Sequence, residues 1–387
     1  MPRLPRYNPR PQGQACQDLS LVLMSKTPES ALREAVESYV DPYLGLELRA
    51  AGALRGFELD GERLAISLTL GFPARHYRDE LAAAIEQRLR PLAGARRVTI
   101  DVDWQIAAHG AQRNLRPIQG IRNIIAVASG KGGVGKSTTA ANLALGLAHE
   151  GAAVGLLDAD IYGPSQPLMM GLAGQSPTSP DQRTMIAPVA YDVKVMSVGF
   201  LIDAEQPMVW RGPMVTQALE QLLKDTRWRE LDYLVVDLPP GTGDIQLTLA
   251  QKVPVTGAVI VTTPQDIALI DARKGLKMFE KVGIPILGVV ENMSFHICPK
   301  CGHESHIFGS GGAERMSKEY GTELLGQLPL DEAIRTHADS GKPTVVSDPD
   351  GKAAEIYRRI ARRCAVKIAE LQRDMTSKFP NIVVQNT

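Results

Sequence analysis

The residues that could do chemistry in this 387-residue chain lie in four short stretches. The first, SGKGGVGKSTTAANLALGLA from Ser129 to Ala148, follows the apolar run Ile124-Ile125-Ala126-Val127-Ala128. Gly130, Gly135, Lys136 and Ser137 satisfy G-x-x-x-x-G-K-[ST], a loop whose backbone N–H groups and following helix N-terminus converge on a polyphosphate. The expected phosphate-contacting residues are Gly130, Lys131, Gly132, Gly133, Val134, Gly135, Lys136, Ser137 and Thr138. Lys136 supplies a cation between the β- and γ-phosphates, and the Ser137 hydroxyl is placed to ligate Mg²⁺. Lys131 adds a second cation, which an ordinary phosphate loop does not need.

The next two stretches are acidic. Leu156-Leu157-Asp158-Ala159-Asp160 sets two carboxylates just past a buried strand, with Asp158 expected nearer the metal shell and a helix cap as the alternative for one of the pair. Leu234-Val235-Val236-Asp237 is an apolar strand ending in an aspartate that holds Mg²⁺, usually through water. Pro239-Pro240-Gly241-Thr242-Gly243 then reads as a switch that answers the γ-phosphate, with the Gly241 N–H as its contact. Asp244 divides evenly between a site residue and a cap.

The last stretch is ENMSFHICPKCGHESH, from Glu291 to His306. The Asn292 amide has a donor and an acceptor matched to the adenine edge. No guanine-reading NKxD motif is present, so ATP is expected rather than GTP, with Gln327 to Asp331 as the other wall of the base pocket. Cys298 and Cys301 form C-x-x-C with Pro and Gly in the knuckle, a soft-metal pattern. They contribute two thiolates, whereas a zinc tetrahedron or a 4Fe-4S cluster takes four ligands. His303 and His306 of the same chain, or the same cysteines of a second chain, would complete the set.

These stretches need elements to hold them. Up to Trp104 the spacing predicts a helix over 28–40, strands over 54–59 and 64–70, a helix over 76–89 and a strand alternating through Val98, Ile100, Val102 and Trp104. Asp60-Gly61 between the first two strands signals a type I′ hairpin turn. From residue 122 strands and helices alternate, and the continuous apolar runs imply a parallel sheet covered on both faces. The expected organisation is a disordered leader (1–25), a small α+β domain (26–106), a linker (107–121), a doubly wound, mostly parallel α/β P-loop NTPase domain (122–372) and a tail (373–387). Met24 is an alternative initiator to Met1.

A formal net charge of +0 gives no basic footprint for nucleic acid. No run approaches the ~20 apolar residues of a membrane span. The helix expected over 353–371 is amphipathic and basic, and docking on its own sheet is favoured over a membrane face, with Cys364 in the core. Cysteines at 16, 298, 301 and 364 make no disulfide framework and fit a reducing cytoplasm.

KGGVGKST resembles the deviant phosphate loop of the ATPases that include the nitrogenase iron protein and the MinD and ParA proteins. That resemblance implies that Lys131 reaches the partner's nucleotide across a dimer and that Asp160 orients the attacking water. Together with YGPS, WRGPM at Trp210 to Met214, VDLPPGTGD, ENMSFHICPKCG and QLPLD, the chain resembles the Mrp/ApbC family of iron–sulfur cluster carriers over about residues 26 to 370. The family implies a cytoplasmic homodimer that holds a labile 4Fe-4S cluster through the C-x-x-C of each subunit. It also implies slow ATP hydrolysis with Mg²⁺, an assembly scaffold as cluster donor, and apo iron–sulfur proteins as acceptors, without nucleic acid or membrane. The first domain resembles the accessory domain of iron–sulfur assembly, but Phe72 stands where that family often has cysteine, so no catalytic residue is assigned to it. A MinD/ParA-like positioning ATPase and a zinc-ribbon nucleotide-binding scaffold are the alternatives.

Overall fold

The computed structural model describes residues 28–94, 96–109, 115–201 and 212–378. The expected leader with Cys16 and Met24, and Trp210 and Arg211 of the WRGPM motif, lie outside the described residues. Contacts divide the chain into two compact units: the smaller ends at Leu68 and resumes over Leu81–Asp101, and the larger takes Thr69–Glu80 and Val102 onward.

The first five elements are α1 (Glu29–Glu37), β1 (Leu54–Asp60), β2 (Arg63–Leu70), α2 (Arg78–Ala93) and β3 (Arg97–Trp104), with a three-stranded sheet in the order β1-β2-β3. β2 shows why hydrophobic alternation predicts a strand: Leu64, Ile66, Leu68 and Leu70 all point inward and are buried. The hairpin turn differs from its expected type. Asp60 stays in the ladder opposite Arg63, so the loop is Gly61-Glu62, and of these two Gly61 alone has positive φ, at 55°. That is the φ pattern of type II′. Phe72 is fully buried, its ring stacked 6.3 Å from that of Tyr77.

The remaining elements are β4 (Ile121–Ala128), α3 (Lys136–His149), β5 (Val154–Asp158), α4 (Gln166–Met169), β6 (Val189–Ala190), β7 (Val193–Ser197), α5 (Gly212–Asp225), β8 (Leu231–Asp237), α6 (Asp244–Lys252), β9 (Gly257–Thr262) and α7 (Asp266–Lys281). They continue with β10 (Ile286–Ile297), β11 (Glu304–Ser305), α8 (Gly312–Glu319), β12 (Leu324–Pro329), α9 (Glu332–Asp339), α10 (Thr344–Ser347) and α11 (Lys352–Lys378). Nine strands form one sheet in the order β11-β10-β9-β4-β8-β5-β7-β6, with β12 also on β10. All its ladders are parallel except β6 with β7 and β10 with β11. β5, β8 and β9 are buried at every position, which is why their central residues read as continuous apolar runs, with Asp232 of β8 the buried exception that pairs with Arg122. β4 lies between β8 and β9, so the loop after it opens at the carboxyl edge of the sheet, where doubly wound folds take ligands. Register brings Val127 opposite Asp237 and Asp237 opposite Asp158, setting three strand ends side by side.

Two boundaries differ from expectation. The spacing predicts a strand over 286–290 closed by Glu291-Asn292-Met293, but the strand runs on to Ile297, because its far half gains the antiparallel partner β11. Met293, at φ 56°, marks the irregularity where it leaves the regular ladder. The last helix runs past the expected start of the tail, to Lys378. Its buried face, including Tyr357, Ile360, Ala361 and Cys364, packs close: a Cβ on Gly146 of α3 would lie 2.9 Å from that of Ala361, and one on Gly326 of β12 would lie 2.7 Å from Ile360. Its basic residues are engaged nearby. Arg362 pairs with Glu150 at 2.5 Å, Arg363 donates to the Leu324 and Leu325 carbonyls at 3.0 Å, and Lys367 meets Glu323 at 3.1 Å. No helix among the described residues is long and apolar enough to cross a membrane.

Candidate functional site

The phosphate loop turns into α3 through Gly135, whose φ of 81° favours glycine, so the helix starts at Lys136 and aims its N-terminal N–H groups into the loop. Gly130 is demanded by packing as well: a Cβ there would lie 2.2 Å from the Asp271 carbonyl carbon of α7. The loop lines a cleft of about 210 Å³ with Lys131, Gly132, Gly133, Gly135, Lys136, Ser137 and Thr138. Asp160, Ser165, Met169 and Pro240 face them from the neighbouring strand ends. Lys131 is half-buried, and its carbonyl accepts the Ser129 hydroxyl at 2.9 Å.

Lys136 is the buried cation of the cleft. Its Nζ lies 2.5 Å from Asp237 Oδ1, 3.3 Å from Ser137 Oγ and 3.7 Å from Asp160 Oδ2. An arriving polyphosphate therefore competes with two carboxylates for this ammonium. Burial raises the Asp160 carboxyl above its ordinary value, with Lys136 pulling the other way. Asp158, like Asp237, is fully buried. Burial, and then the charge of Asp237, push it up to about 7. Its Oδ1 accepts the Asp160 N–H, while its Oδ2 accepts from Ser165 N, Gln166 N and Ser197 Oγ at 3.0–3.1 Å. Both oxygens thus hold the segment that leads into α4, and Oδ2 also holds Ser197 of β7, at the strand end where the sequence sets Asp158 near the metal shell. Ser137, Asp237 and Asp160 set hard oxygen donors around the Lys136 ammonium, and such donors suit Mg²⁺.

Gly241 and Asn292 have other partners in this structure. The Gly241 N–H donates to the Ser129 carbonyl at 3.0 Å, so contact with a γ-phosphate requires an exchange of partner. Asn292 is 7% exposed; its Nδ2 donates to the Val134 carbonyl at 2.9 Å and its Oδ1 accepts the Met293 N–H. Gln327, expected in the base pocket, donates instead to Glu291 and to Ser294 Oγ.

Two site residues escaped the reading from sequence. Gln166 is fully buried, and its Nε2 bridges the Ser137 carbonyl at 3.0 Å and Asp237 Oδ2 at 2.9 Å, holding the acid at the strand end. Its signal in the sequence is a lone amide after Gly-Pro-Ser. Glu291 is also fully buried, and no partner for its carboxylate is legible in the sequence around it.

The C-x-x-C stands apart from this cleft along the chain, at the tip of the β10–β11 hairpin. His296 pairs with Ser305 and Ile297 with Glu304, leaving Cys298 to His303 as the loop. Cys298 N donates to the His303 carbonyl and Gly302 N to that of Cys298, both at 2.9 Å. Backbone N–H groups of Lys300 and Cys301, and then the Cys301 thiol, turn toward the Cys298 sulfur and lower its pKa. Cys301 is exposed and Cys298 partly so. His306 turns its Nδ1 to the Ser294 carbonyl at 2.9 Å and its Nε2 toward Glu304 at 3.5 Å. Among the described residues no group of three or more His, Cys, Asp or Glu is arranged to hold a metal.

Comparison with known proteins agrees with this geometry. Residues 120–365 match the model of the NUBPL iron-transfer P-loop NTPases, and residues 29–102 match that of iron–sulfur cluster assembly proteins. The iron–sulfur cluster carrier protein of Escherichia coli K12 is 50% identical over 348 residues, 89% of this chain and 94% of its own. The protein of that name from Pseudomonas fragi is 58% identical over 278 residues, covering 72% of this chain and 97% of its own. The iron–sulfur cluster transfer protein NUBPL of Dictyostelium discoideum is 49% identical over 289 residues, 72% of this chain and 90% of its own. A nucleotide-binding protein of Archaeoglobus fulgidus, solved with ADP, superposes with a TM-score of 0.53 at 38% identity, covering 60% of this chain and 90% of that one. The matched ranges span the phosphate loop, the acidic strand ends and the exposed cysteine pair of this chain, and the chain belongs to the family of NUBPL-type iron-transfer P-loop NTPases.

Proposed function

We propose that this protein carries a labile 4Fe-4S cluster between two copies of itself and hands it to apo iron–sulfur proteins in the cytoplasm, using ATP and Mg²⁺. The observation that carries this reading is the exposed hairpin tip, where two thiols meet and the nearby His306 is held by other partners. Two thiolates satisfy half of a 4Fe-4S cube, and a two-fold axis supplies the same two again. The cluster is cargo. A site at the surface, shared between subunits, releases it readily to an acceptor and takes it as readily from an assembly scaffold.

In the cleft, Lys136 binds the β- and γ-phosphates, Ser137 and Asp237 hold Mg²⁺ with Asp237 steadied by Gln166, and Asp160 orients the water. Mg²⁺ supplies charge neutralisation at the phosphates. Lys131 acts on the partner's nucleotide, and Gly241 exchanges Ser129 for the γ-phosphate as the switch loop moves. Hydrolysis is slow and linked to cluster transfer. The 26–106 and 122–372 boundaries describe a small assembly-type domain and the ATPase. A positioning ATPase acting through its last helix is disfavoured, because that helix buries its apolar face and engages its basic residues within its own unit.

The test is anaerobic loading of the full chain with iron and sulfide, followed by iron, sulfide and zinc counts and transfer to an apo-acceptor. About four irons per dimer that move to the acceptor is the expected result. Stoichiometric zinc in each monomer that survives iron loading would refute the carrier reading.

A further inference from the structure

β10 carries two adjacent side chains that leave it on opposite faces and hold different things. Asn292 holds the phosphate loop: its Nδ2 donates to the Val134 carbonyl at 2.9 Å, and a Cβ on Gly135 would lie 2.1 Å from that nitrogen. The Val134 carbonyl and the Gly135 N–H belong to one planar peptide unit. A rotation that points this N–H at a phosphate therefore moves the oxygen that Asn292 grips.

Glu291 holds the stem of the cysteine hairpin. Its Oε1 accepts Ser294 Oγ at 2.6 Å and Gln327 Nε2 at 2.9 Å, and its Oε2 accepts the Ala313 N–H at 2.8 Å. Ser294 lies on the strand leading to Cys298, and its carbonyl takes His306 Nδ1 from the returning side. Ala313 opens α8, the first helix after the hairpin. One buried carboxylate thus fastens the outgoing strand, the start of the helix that follows the hairpin and, through Gln327, the strand β12.

We propose that Glu291 and Asn292 act as a positioning pair. Asn292 senses the peptide unit that turns toward phosphate, and Glu291 passes the resulting shift of β10 to the stem that sets the Cys298 and Cys301 sulfurs. Nucleotide binding thereby changes how the two thiols are presented. This deepens the carrier reading and rests on it for the identity of the cargo, but thiol presentation is measurable with no metal bound.

The experiment uses the full-length apo protein under anaerobic conditions. Alkylation of Cys298 and Cys301 by N-ethylmaleimide is followed residue by residue, with and without Mg²⁺ and a non-hydrolysable ATP analogue, alongside direct measurement of analogue affinity. In the wild type the analogue is expected to change the alkylation rate by about fivefold or more, the size of an ordinary coupling between sites. In Glu291→Gln, and in the milder Ser294→Ala, analogue affinity stays within about twofold while the response of the thiols falls below about twofold. A stem that merely supported the fold would shift basal rates and leave the ratio with and without analogue unchanged. A wild-type rate indifferent to the analogue, or both variants responding as the wild type does, overturns the proposal. Iron loading as described above is scored separately. Four irons with silent thiols would leave the carrier and remove the pair, whereas responsive thiols in a protein that retains zinc would do the reverse.

Discussion

The nucleotide cleft and the cysteine hairpin are built on opposite plans. The cleft is assembled from the ends of three buried strands, and Lys136, Asp158 and Asp237 within it are buried and already partnered. The hairpin is a two-strand excursion whose tip exposes two thiols with half the ligands a cluster needs. The cleft has its buried cation and carboxylates in place within one chain and draws only Lys131 from a second under the proposed function; the hairpin, under the same proposal, is a half-site completed by its copy. The difference teaches that the chemistry of ATP and that of the cargo are separable at the level of single residues, even if a strand joins them.

The sharpest way to break that contrast is to remove one sulfur. Cys298→Ser or Cys301→Ser is expected to lower bound iron from about four per dimer to none after loading, while the apo protein binds ATP as before, checked by iron counts and equilibrium dialysis. Parallel loss of both would mean that the hairpin is not an independent half-site. Next in size, Lys136→Ala should weaken ATP by on the order of 100-fold, since it removes the cation from the phosphates and leaves Asp237 buried beside them. Iron loading of this variant should survive. A smaller effect belongs to Asp160→Ala and Lys131→Ala, which should keep ATP affinity and slow turnover roughly 10- to 100-fold in a phosphate-release assay. For Lys131, the proposed role in trans predicts that activity returns when the variant is mixed with a Lys136→Ala subunit, which keeps Lys131 but does not itself turn over. Loss of ATP affinity equal to that of Lys136→Ala would remove it from that role.

The smallest effect is a shift in pH. The backbone N–H groups of Lys300 and Cys301 stabilise the Cys298 thiolate, so its alkylation rate should rise with pH at lower values than for an ordinary thiol. Burial pushes the Cys364 thiol the other way, and it should remain unlabelled in the native protein. Mass-spectrometric rates for each cysteine across pH separate the two environments. A Cys298 midpoint at or above that of an ordinary thiol would contradict the knuckle geometry.

How much of this was legible in the sequence follows from what each feature depends on. The phosphate loop, the D-x-D pair and the strand ending in Asp237 were legible because each is local: glycines, a cation and carboxylates at fixed spacing beside apolar runs. The alternation of β2 and the burial of Cys364 were legible for the same reason. What could not be read depends on partners far along the chain. Gln166 becomes a site residue when Asp237, 71 positions away, meets its amide. The match of the Asn292 amide to adenine is a local reading, whereas its bond to the Val134 carbonyl spans 158 positions. The extension of β10 to Ile297 needed β11 as a partner, and the hairpin at Gly61 needed the register that keeps Asp60 in the ladder.

The seating of α11 also has a consequence for synthesis. The buried pair of Glu150, at the end of α3, and Arg362 joins residues 212 positions apart. A ribosome adding about 5–20 residues per second needs roughly 10–40 s to pass from one to the other. Throughout that interval the phosphate-loop helix has been made and its cover has not. Its face at Gly146, and Glu150 at its end, lack the surface that Ala361 and Arg362 of α11 bring. The far end of the phosphate-loop helix is therefore among the first parts of this unit to be written and among the last to be covered, and a nascent chain interrupted in that window is a natural client for chaperones.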